Sequence, residues 1–562
     1  MTGAAQRQGV SSLFPADSRD PVVPLAWWVV AFVLHRAVIV ALGFDGTFFW
    51  EESYRLLAAV AWKSGWDIPL RELQADPYAG GSLVFAALTA IVTSFTGITL
   101  LAVKIVAIAW NAAGLWCWML ALRRIAGHAA AHALGLLWVA APPVFVVFNT
   151  IGLGFHGDTV TVTGLELLLM LRWLEVPSTS RLLLWTIVGG LGVWFCYTSA
   201  VALAVMLVFA VAAGALSPQY WPLATAGFAI GLAPWLAYQA SPGAAPGASL
   251  GIVGETFASP AAAGAGPGYF ARLWDLVIHG MPVALYFRDI GIPGDVKLGR
   301  AWLEYPWLAV YATAFAIVVA SSWRTLARGA RSMKLLAARA AGHAELAVAL
   351  IFPLFLVVLA ASNQQFNDYG VVRFFTFRLV VPALAGALAT IAIAAALVSR
   401  PMRAVLLGAC VLLGTIGTVQ VAWDGNTSRA ALDEDALGMG AEVMGHLVVF
   451  RHGTDPLIPT IIDALPENLR ARAYRGVGFS YAYIFATRRK DAPSSHLTLA
   501  LLSTGADHLR DAVDGAHAAL EGGLPQVAPV PESPRRDELR AAVDRAIAAP
   551  AVVPPELTRS SF

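Results

Sequence analysis

The sequence predicts an all-α, multi-pass membrane protein with about eleven membrane-spanning helices, followed by a small, mostly helical soluble domain. Three observations predict this fold class. Hydrophobic residues make up 58% of the 562 residues. Charged residues make up 13%, whereas soluble domains contain about 25%. Apolar runs of about eighteen residues or more recur through positions 22–422, and each is long enough to cross a bilayer core of roughly 30 Å.

The composition divides the chain into three parts. Residues 1–21 are mostly polar and form a predicted cytoplasmic tail, residues 22–422 form a transmembrane domain, and residues 423–562 form a predicted extracytoplasmic domain. The last part holds 32 charged residues and no apolar run of spanning length. No signal-peptide cleavage site follows the first apolar segment, so this segment is expected to remain as a membrane anchor.

Twelve apolar segments are candidates for membrane spans. If all twelve crossed in alternation, three basic clusters would lie outside the cell, although short cytoplasmic loops should carry the Lys and Arg excess. These clusters are Arg123–Arg124, the stretch from Arg324 to Arg339, and Arg400 with Arg403. All three conflicts disappear if segment 79–99, which is rich in Gly, Ser and Thr, lies along the outer face. The alternative, that 79–99 spans and another segment is miscounted, stays open.

Eleven spans remain, with the N-terminus inside the cell. They are 22–43, 100–122, 130–150, 158–174, 182–197, 199–216, 223–240, 302–322, 344–361, 378–397 and 404–422. The apolar run over 182–216 is split at Cys196–Ser199, because a single helix of that length would measure about 52 Å.

The first outer loop carries the main candidate residues. After Trp50 the pattern predicts an amphipathic helix lying in the membrane interface, with Tyr54 on the apolar face and Glu51 and Glu52 toward the polar face. The helix dipole favours ionised carboxylates at a helix start. An ionised carboxylate is what a hydroxyl or amine acceptor needs as a general base. The alternative is that both glutamates only cap the helix.

Two further polar elements are predicted on the same side of the membrane. His156 and Asp158 stand at the outer start of a span, where Asp158 is either a site residue or an N-cap. Arg373 and Arg378 stand in and after the 362–377 loop, against the positive-inside trend. Cations there require an anion such as a lipid phosphate, or else they extend toward the headgroups.

The order of these elements resembles the GT-C glycosyltransferases, in the branch that contains the protein O-mannosyltransferases and the lipid A aminoarabinose transferase. The resemblance covers roughly residues 22–400. Glu51, Glu52 and Tyr54 match an acidic-acidic-x-Tyr motif in which the family usually has Asp first. The remaining matches are Asp158 with an acidic residue that starts a later span, Cys196-Tyr197-Thr198 with a Lys-Tyr-Thr turn that here lacks the lysine, and Arg378 to Pro382 with an Arg-Tyr-x-x-Pro signature.

The resemblance implies an inverting glycosyltransferase in the inner or plasma membrane. It would move a sugar from a polyprenyl-phosphate donor to a lipid, glycan or protein acceptor on the extracytoplasmic face. Glu51, Glu52 and Asp158 would be catalytic. The substrate-binding residues would be Asp45, Tyr54, Asp76, His156, Tyr197, Arg373 and Arg378. Membrane lipids are the other expected partners; no nucleic acid, cofactor or metal site is expected, although metal dependence is left open.

Two functions of other classes stay open. A transporter or flippase for a lipid-linked or envelope component would show internal repeats and ionisable groups near mid-membrane. No repeat is visible, and the polar groups cluster at one interface. A scaffold acting through residues 423–562 is the other alternative, because this region has helical stretches but no recognisable catalytic set.

Overall fold

The computed structural model describes residues 23–42, 51–74, 79–240, 268–281, 304–329, 344–361, 372–424, 435–452, 457–487, 489–523, 530 and 532–548. Within these ranges the protein is helical and contains no β-strand, which confirms the predicted all-α class. Six of the described helices are long and apolar enough to cross a membrane. The protein is therefore a helical membrane protein, and the number of eleven crossings stays a prediction.

The helices of the first half form the part of the bundle that surrounds the candidate site. They are α1 (Val23–Leu42), α2 (Glu51–Ser64), α3 (Leu70–Leu73), α4 (Gly81–Thr96), α5 (Leu100–Val139), α6 (Pro143–Phe148), α7 (Thr159–Glu175), α8 (Thr179–Phe195), α9 (Ser199–Ala212) and α10 (Trp221–Ala240). A single 3₁₀ turn, His156–Asp158, precedes α7.

The second half completes the bundle and adds the C-terminal domain. Its helices are α11 (Tyr269–Asp275), α12 (Glu304–Gly329), α13 (Ala344–Ala361), α14 (Val372–Leu397), α15 (Arg400–Asp424), α16 (Ala436–His452), α17 (Leu457–Asp463), α18 (Glu467–Thr487), α19 (Ser495–Leu502), α20 (Leu509–His517) and α21 (Pro534–Ala548). Helix α15 ends close to the boundary predicted between the two domains.

Helix α5 contains the predicted span 100–122 and the first part of the predicted span 130–150, with a kink between them. Its break is Gly127, whose φ of 80° is a conformation that side chains disfavour. Beyond the break the chain returns through α6, and Gly152 then packs against Val103 near the start of α5. The apolar run over 182–216 is also divided as predicted, because α8 ends at Phe195 and α9 begins at Ser199.

Helix α4 corresponds to the segment 79–99, for which no crossing was predicted. At its start Gly81 packs against Gly154 in the loop between α6 and α7, which is predicted to be an outer loop and is called so below. At its end the Ser94 hydroxyl accepts a hydrogen bond, 3.0 Å long, from the Lys63 ammonium on α2. Both ends of α4 thus contact segments that the predicted topology places on the outer side. Whether 79–99 spans stays a prediction.

Helices α8 and α10 pack through facing glycines. A Cβ atom on Gly190 would collide with the Phe228 carbonyl, and one on Gly231 would collide with the Ile187 carbonyl. Small residues at such positions let two helix backbones approach closely, which is the common way of packing helices in lipid. This helix pair places the α8–α9 turn beside the candidate site.

The helices of the C-terminal domain also pack through glycines, and one of them, α16, contacts α2. Gly445 and Gly476 bring α16 and α18 into backbone contact, and Gly515 does so for α18 and α20. Gly440 brings α16 against the Ser53 carbonyl of α2. The structure corrects the prediction that α2 is an amphipathic helix lying in the membrane interface. Its residues 52–61 are all buried, because the bundle covers one side of the helix and α16 covers the other.

We predict that Gly231→Val destabilises the protein by about 1–3 kcal/mol, because the added side chain overpacks the α8–α10 contact. Thermal melting of the protein in detergent measures the effect. Gly408→Val on α15 is the matched control, since a Cβ there would meet open space. Equal melting temperatures for the two variants would contradict the close packing of α8 on α10.

Candidate active site

A buried ion pair joins three separate segments at the end of the bundle that is predicted to be extracytoplasmic. The Glu52 carboxylate is completely buried, and its Oε2 atom lies 2.5 Å from the Lys104 Nζ atom. Its other oxygen accepts a 2.7 Å hydrogen bond from the backbone amide of Gly152. Glu52 comes from the first turn of α2, Lys104 from the start of α5, and Gly152 from the outer loop. The Glu52 side chain thus fixes these segments to one another.

A second carboxylate, that of Asp158, is held by the same outer loop. Its Oδ2 atom accepts a 2.7 Å hydrogen bond from the Gly154 amide, and its Oδ1 atom lies 3.4 Å from the Asn111 amide nitrogen. The side chain does not cap α7, so the N-cap interpretation is wrong. The carboxylate instead turns back toward the loop that contacts Glu52. Trp110 supports this turn by donating to the Asp158 carbonyl.

His156 and the α8–α9 turn close the other side of the cluster. The His156 Nδ1 atom lies 3.3 Å from the Cys196 sulfur, and both residues are buried. The Tyr197 ring stands edge-on to the imidazole, with 5.6 Å between the ring centroids. The structure thus places Tyr197 against His156, two residues before Asp158.

Arg55 adds a second buried cation beside the outer loop. Its Nε atom donates a 2.7 Å hydrogen bond to the Leu153 carbonyl. Its guanidinium also lies 5.7 Å from the centroid of the Phe155 ring. The cluster therefore gathers two buried carboxyl groups, of Glu52 and Asp158, and two buried basic groups, of Lys104 and Arg55, around one loop, and Glu52 and Lys104 form the ion pair.

Tyr54 lies apart from this cluster. It is completely buried, and its hydroxyl donates to the Glu72 carbonyl on the side of α2 that faces the C-terminal domain. Burial raises the pKa of the Tyr54 hydroxyl above its ordinary value. The structure thus places Tyr54 in the contact between the two domains.

The other predicted site residues are described in part or not at all. Glu51 begins α2 and is partly exposed. Asp45 and Asp76 lie outside the described residues, and Arg373 and Arg378 are described only by their backbone within α14. Among the described residues, no group of His, Cys, Asp or Glu side chains could hold a metal ion.

Helix α14 packs against the 3₁₀ turn at the site. A Cβ on Gly157 would lie 3.6 Å from a Val381 methyl group. Arg378 precedes Val381 by three residues, which is about 4.5 Å along a helix axis. The backbone of Arg378 therefore lies within one helical turn of the segment that carries Asp158.

Sequence reasoning missed the roles of several buried residues. Lys104 is a charged residue inside the predicted span 100–122, but nothing in the local pattern identifies Glu52 as its partner. Glu166 was overlooked, although an acidic residue in the apolar run LELLLML is a recognisable signal. Its carboxyl is completely buried in α7 and has no hydrogen-bond partner within the described part of the chain.

No protein-family model and no curated protein matches the sequence. The structure is similar to ArnT from Cupriavidus metallidurans bound to undecaprenyl phosphate, with a TM-score of 0.39, 15% identity, and coverage of 92% of this chain and 76% of that one. It is also similar to the Archaeoglobus fulgidus oligosaccharyltransferase in the apo form, with a TM-score of 0.38, 16% identity, and coverage of 72% and 57%. TM-scores below 0.5 do not establish function, so the functional proposal rests on this chain's own residues.

We predict that Lys104→Met destabilises the protein by about 3–5 kcal/mol, because it leaves the Glu52 carboxylate buried without its cation. Adding Glu52→Gln removes that charge and should restore part of the loss. Melting of the single and double variants in detergent gives the coupling energy. Lys63→Met, on the exposed end of α2, is the control. Melting of Lys104→Met at the wild-type temperature would show that the ion pair does not form.

Proposed function

We propose that the protein is a membrane glycosyltransferase that uses a polyprenyl-phosphate sugar donor and works at the extracytoplasmic face. The observation that carries this proposal is the convergence of Glu52, Lys104 and Asp158 at the outer end of the bundle, beside the partly exposed Glu51. Sugar transfer from a lipid phosphate needs a carboxylate near the acceptor and cations near the phosphate. This end of the bundle offers both to a substrate held in the membrane.

Glu51 is the better candidate for the catalytic base, and Glu52 for a positioning residue. Glu52 is completely buried and bound to Lys104 and to the Gly152 amide. Protonating Glu52 would leave the buried Lys104 ammonium without its counter-ion, which is costly in the interior of the bundle. Glu51 is adjacent in sequence and partly exposed, so an acceptor can reach it.

The reaction that fits these residues is a direct displacement. The acceptor hydroxyl or amine gives its proton to Glu51 and forms a bond to the anomeric carbon. The bond from that carbon to the phosphate oxygen breaks, and the lipid phosphate leaves with the electron pair, which inverts the configuration. Because the leaving group is already an anion, cations near it help more than a general acid does.

Arg378 is the proposed ligand for the donor phosphate, with Arg373 in a lesser role. The position of α14 against the His156–Asp158 turn supports this proposal, since it brings the Arg378 backbone close to the carboxylate cluster. An arginine can bind a phosphate through two parallel hydrogen bonds, which a lysine cannot reproduce.

A transporter or flippase remains the second candidate, and Glu166 is the observation in its favour. A carboxyl buried in a membrane helix is a common element of ion-coupled transport. Radiolabelled sugar transfer in membranes, from a panel of polyprenyl-phosphate sugars, separates the classes. A transporter or a scaffold would transfer no label from any donor.

We predict that Glu51→Gln lowers turnover at least about 10²-fold, because the variant cannot accept the acceptor's proton. The assay is the radiolabelled transfer above, with protein levels matched by immunoblot. Glu175→Gln is the control, since Glu175 pairs with Arg124 at the opposite end of α7. Near-normal transfer by Glu51→Gln would contradict the assignment of Glu51 as the base, and near-normal transfer by Glu52→Gln as well would place the base outside this acidic pair.

We predict that Arg378→Ala nearly abolishes transfer, and that Arg378→Lys retains the fold but weakens use of the donor. Arg373→Ala should have a milder effect. The measurement is the KM for the donor together with kcat. Arg400→Ala, at the start of α15, is the control. Normal donor binding and turnover by Arg378→Ala would contradict the assignment of Arg378 as the ligand of the donor phosphate.

A further inference from the structure

The C-terminal domain is seated directly on the helix that carries Glu51 and Glu52. Gly440 of α16 packs so tightly on α2 that a Cβ atom there would collide with the Ser53 carbonyl and lie 2.9 Å from the Leu57 Cβ atom. Ser53 is the next residue after Glu52. The backbone of α16 thus touches α2 within one residue of the buried ion pair.

A buried charged contact lies beside this helix packing. The Arg451 Nη1 atom donates to the Glu72 carboxylate and to the Glu72 carbonyl, each at 3.0 Å, and its Nη2 atom donates to the Gln74 carbonyl. The His452 Nε2 atom lies 3.2 Å from both Glu72 carboxylate oxygens. The exposed fractions are 9% for Arg451, 4% for Glu72 and 8% for His452, so little water reaches the contact.

The same contact reaches back to α2 through Tyr54. The Glu72 carbonyl that accepts from Arg451 also accepts from the Tyr54 hydroxyl. Burial raises the pKa of Glu72, but the hydrogen bond from His452 and the charge of Arg451 outweigh this and hold it below the ordinary value. The Glu72 carboxylate is therefore ionised at neutral pH and available to bind Arg451.

We propose that Arg451 is a positioning residue for the transferase reaction, through which the C-terminal domain fixes α2 and thereby the carboxylates of Glu51 and Glu52. The inference rests on the proposed function for its kinetic part. Arg451 itself touches α3 and the chain after it, and it acts on α2 through Glu72 and Tyr54. A displacement of about 1 Å at a reacting group can cost about 10²-fold in rate.

The test uses the full-length protein in detergent or nanodiscs and two readouts. Hydrogen–deuterium exchange over peptides covering 51–64 reports the stability of α2 without any substrate. Donor-dependent transfer gives kcat and KM. The variants are Arg451→Ala, Arg451→Lys and Gly440→Ala, the last acting through sterics alone. Arg470→Ala is the control, because Arg470 binds carbonyls of its own domain, at Leu465 and Asp463.

We expect Arg451→Ala and Gly440→Ala to speed exchange over 51–64 by at least about tenfold. Their kcat should fall at least about tenfold, with the donor KM within about twofold of wild type. Arg451→Lys keeps the charge but loses the fork to Glu72 and Gln74, so it should fall between. Arg470→Ala should match wild type in both readouts.

Three outcomes decide the matter. Unchanged exchange over 51–64 in Arg451→Ala overturns the positioning role of Arg451, whatever Gly440→Ala shows. A fall in kcat that Arg470→Ala shares shows general destabilisation and also overturns it. If exchange rises as expected but wild-type protein transfers no sugar from any donor, the C-terminal domain still fixes α2, and the proposed function is what fails.

Discussion

The buried ion pair between Glu52 and Lys104 is the interaction on which the candidate site of this protein depends. Removing two charges from water is costly, and their attraction offsets the cost only when the geometry is kept. The pair joins α2 to α5, and the Gly152 amide adds the outer loop to it. Because Asp158 binds the Gly154 amide of that same loop, both carboxylates share one frame. A movement of α2 would break both contacts of Glu52, and a movement of the loop would break those of Gly152 and Gly154.

Helix α2 could not hold this position alone. It has 14 residues, and isolated helices of about 12–15 residues are marginal in water. Its stability must come from the surfaces on either side, which are the bundle and α16. The composition of the chain changes near residue 422, and this change predicts where the membrane domain ends. The two parts of the chain are nevertheless in contact across this point, because Arg451 and His452 bind Glu72 in the predicted first outer loop.

The sequence predicted the helical fold well, because the length of an apolar segment and the residues that end it are local properties of the sequence. It divided 182–216 where α8 and α9 meet and gave separate segments on either side of Gly127. It could not predict which surfaces cover a helix. The polar face of α2 was expected to meet water and is buried instead. The partners of Glu52 and Glu72 lie 52 and 379 residues away along the chain, so no local pattern identifies them.

Adjacent residues on a helix point about 100° apart, and this geometry gives Glu51 and Glu52 different surroundings. Glu52 points into the bundle, where Lys104 and the Gly152 amide occupy its two oxygens. A proton on Glu52 would cancel the charge that stabilises Lys104. If Glu52 were the base, the ion pair with Lys104 would therefore be lost in every catalytic cycle. In the proposed reaction Glu51, which is partly exposed in the same turn, takes and releases the proton while the ion pair stays intact. The different surroundings of the two carboxylates are thus the reason for proposing Glu51 as the base and Glu52 as the residue that positions it.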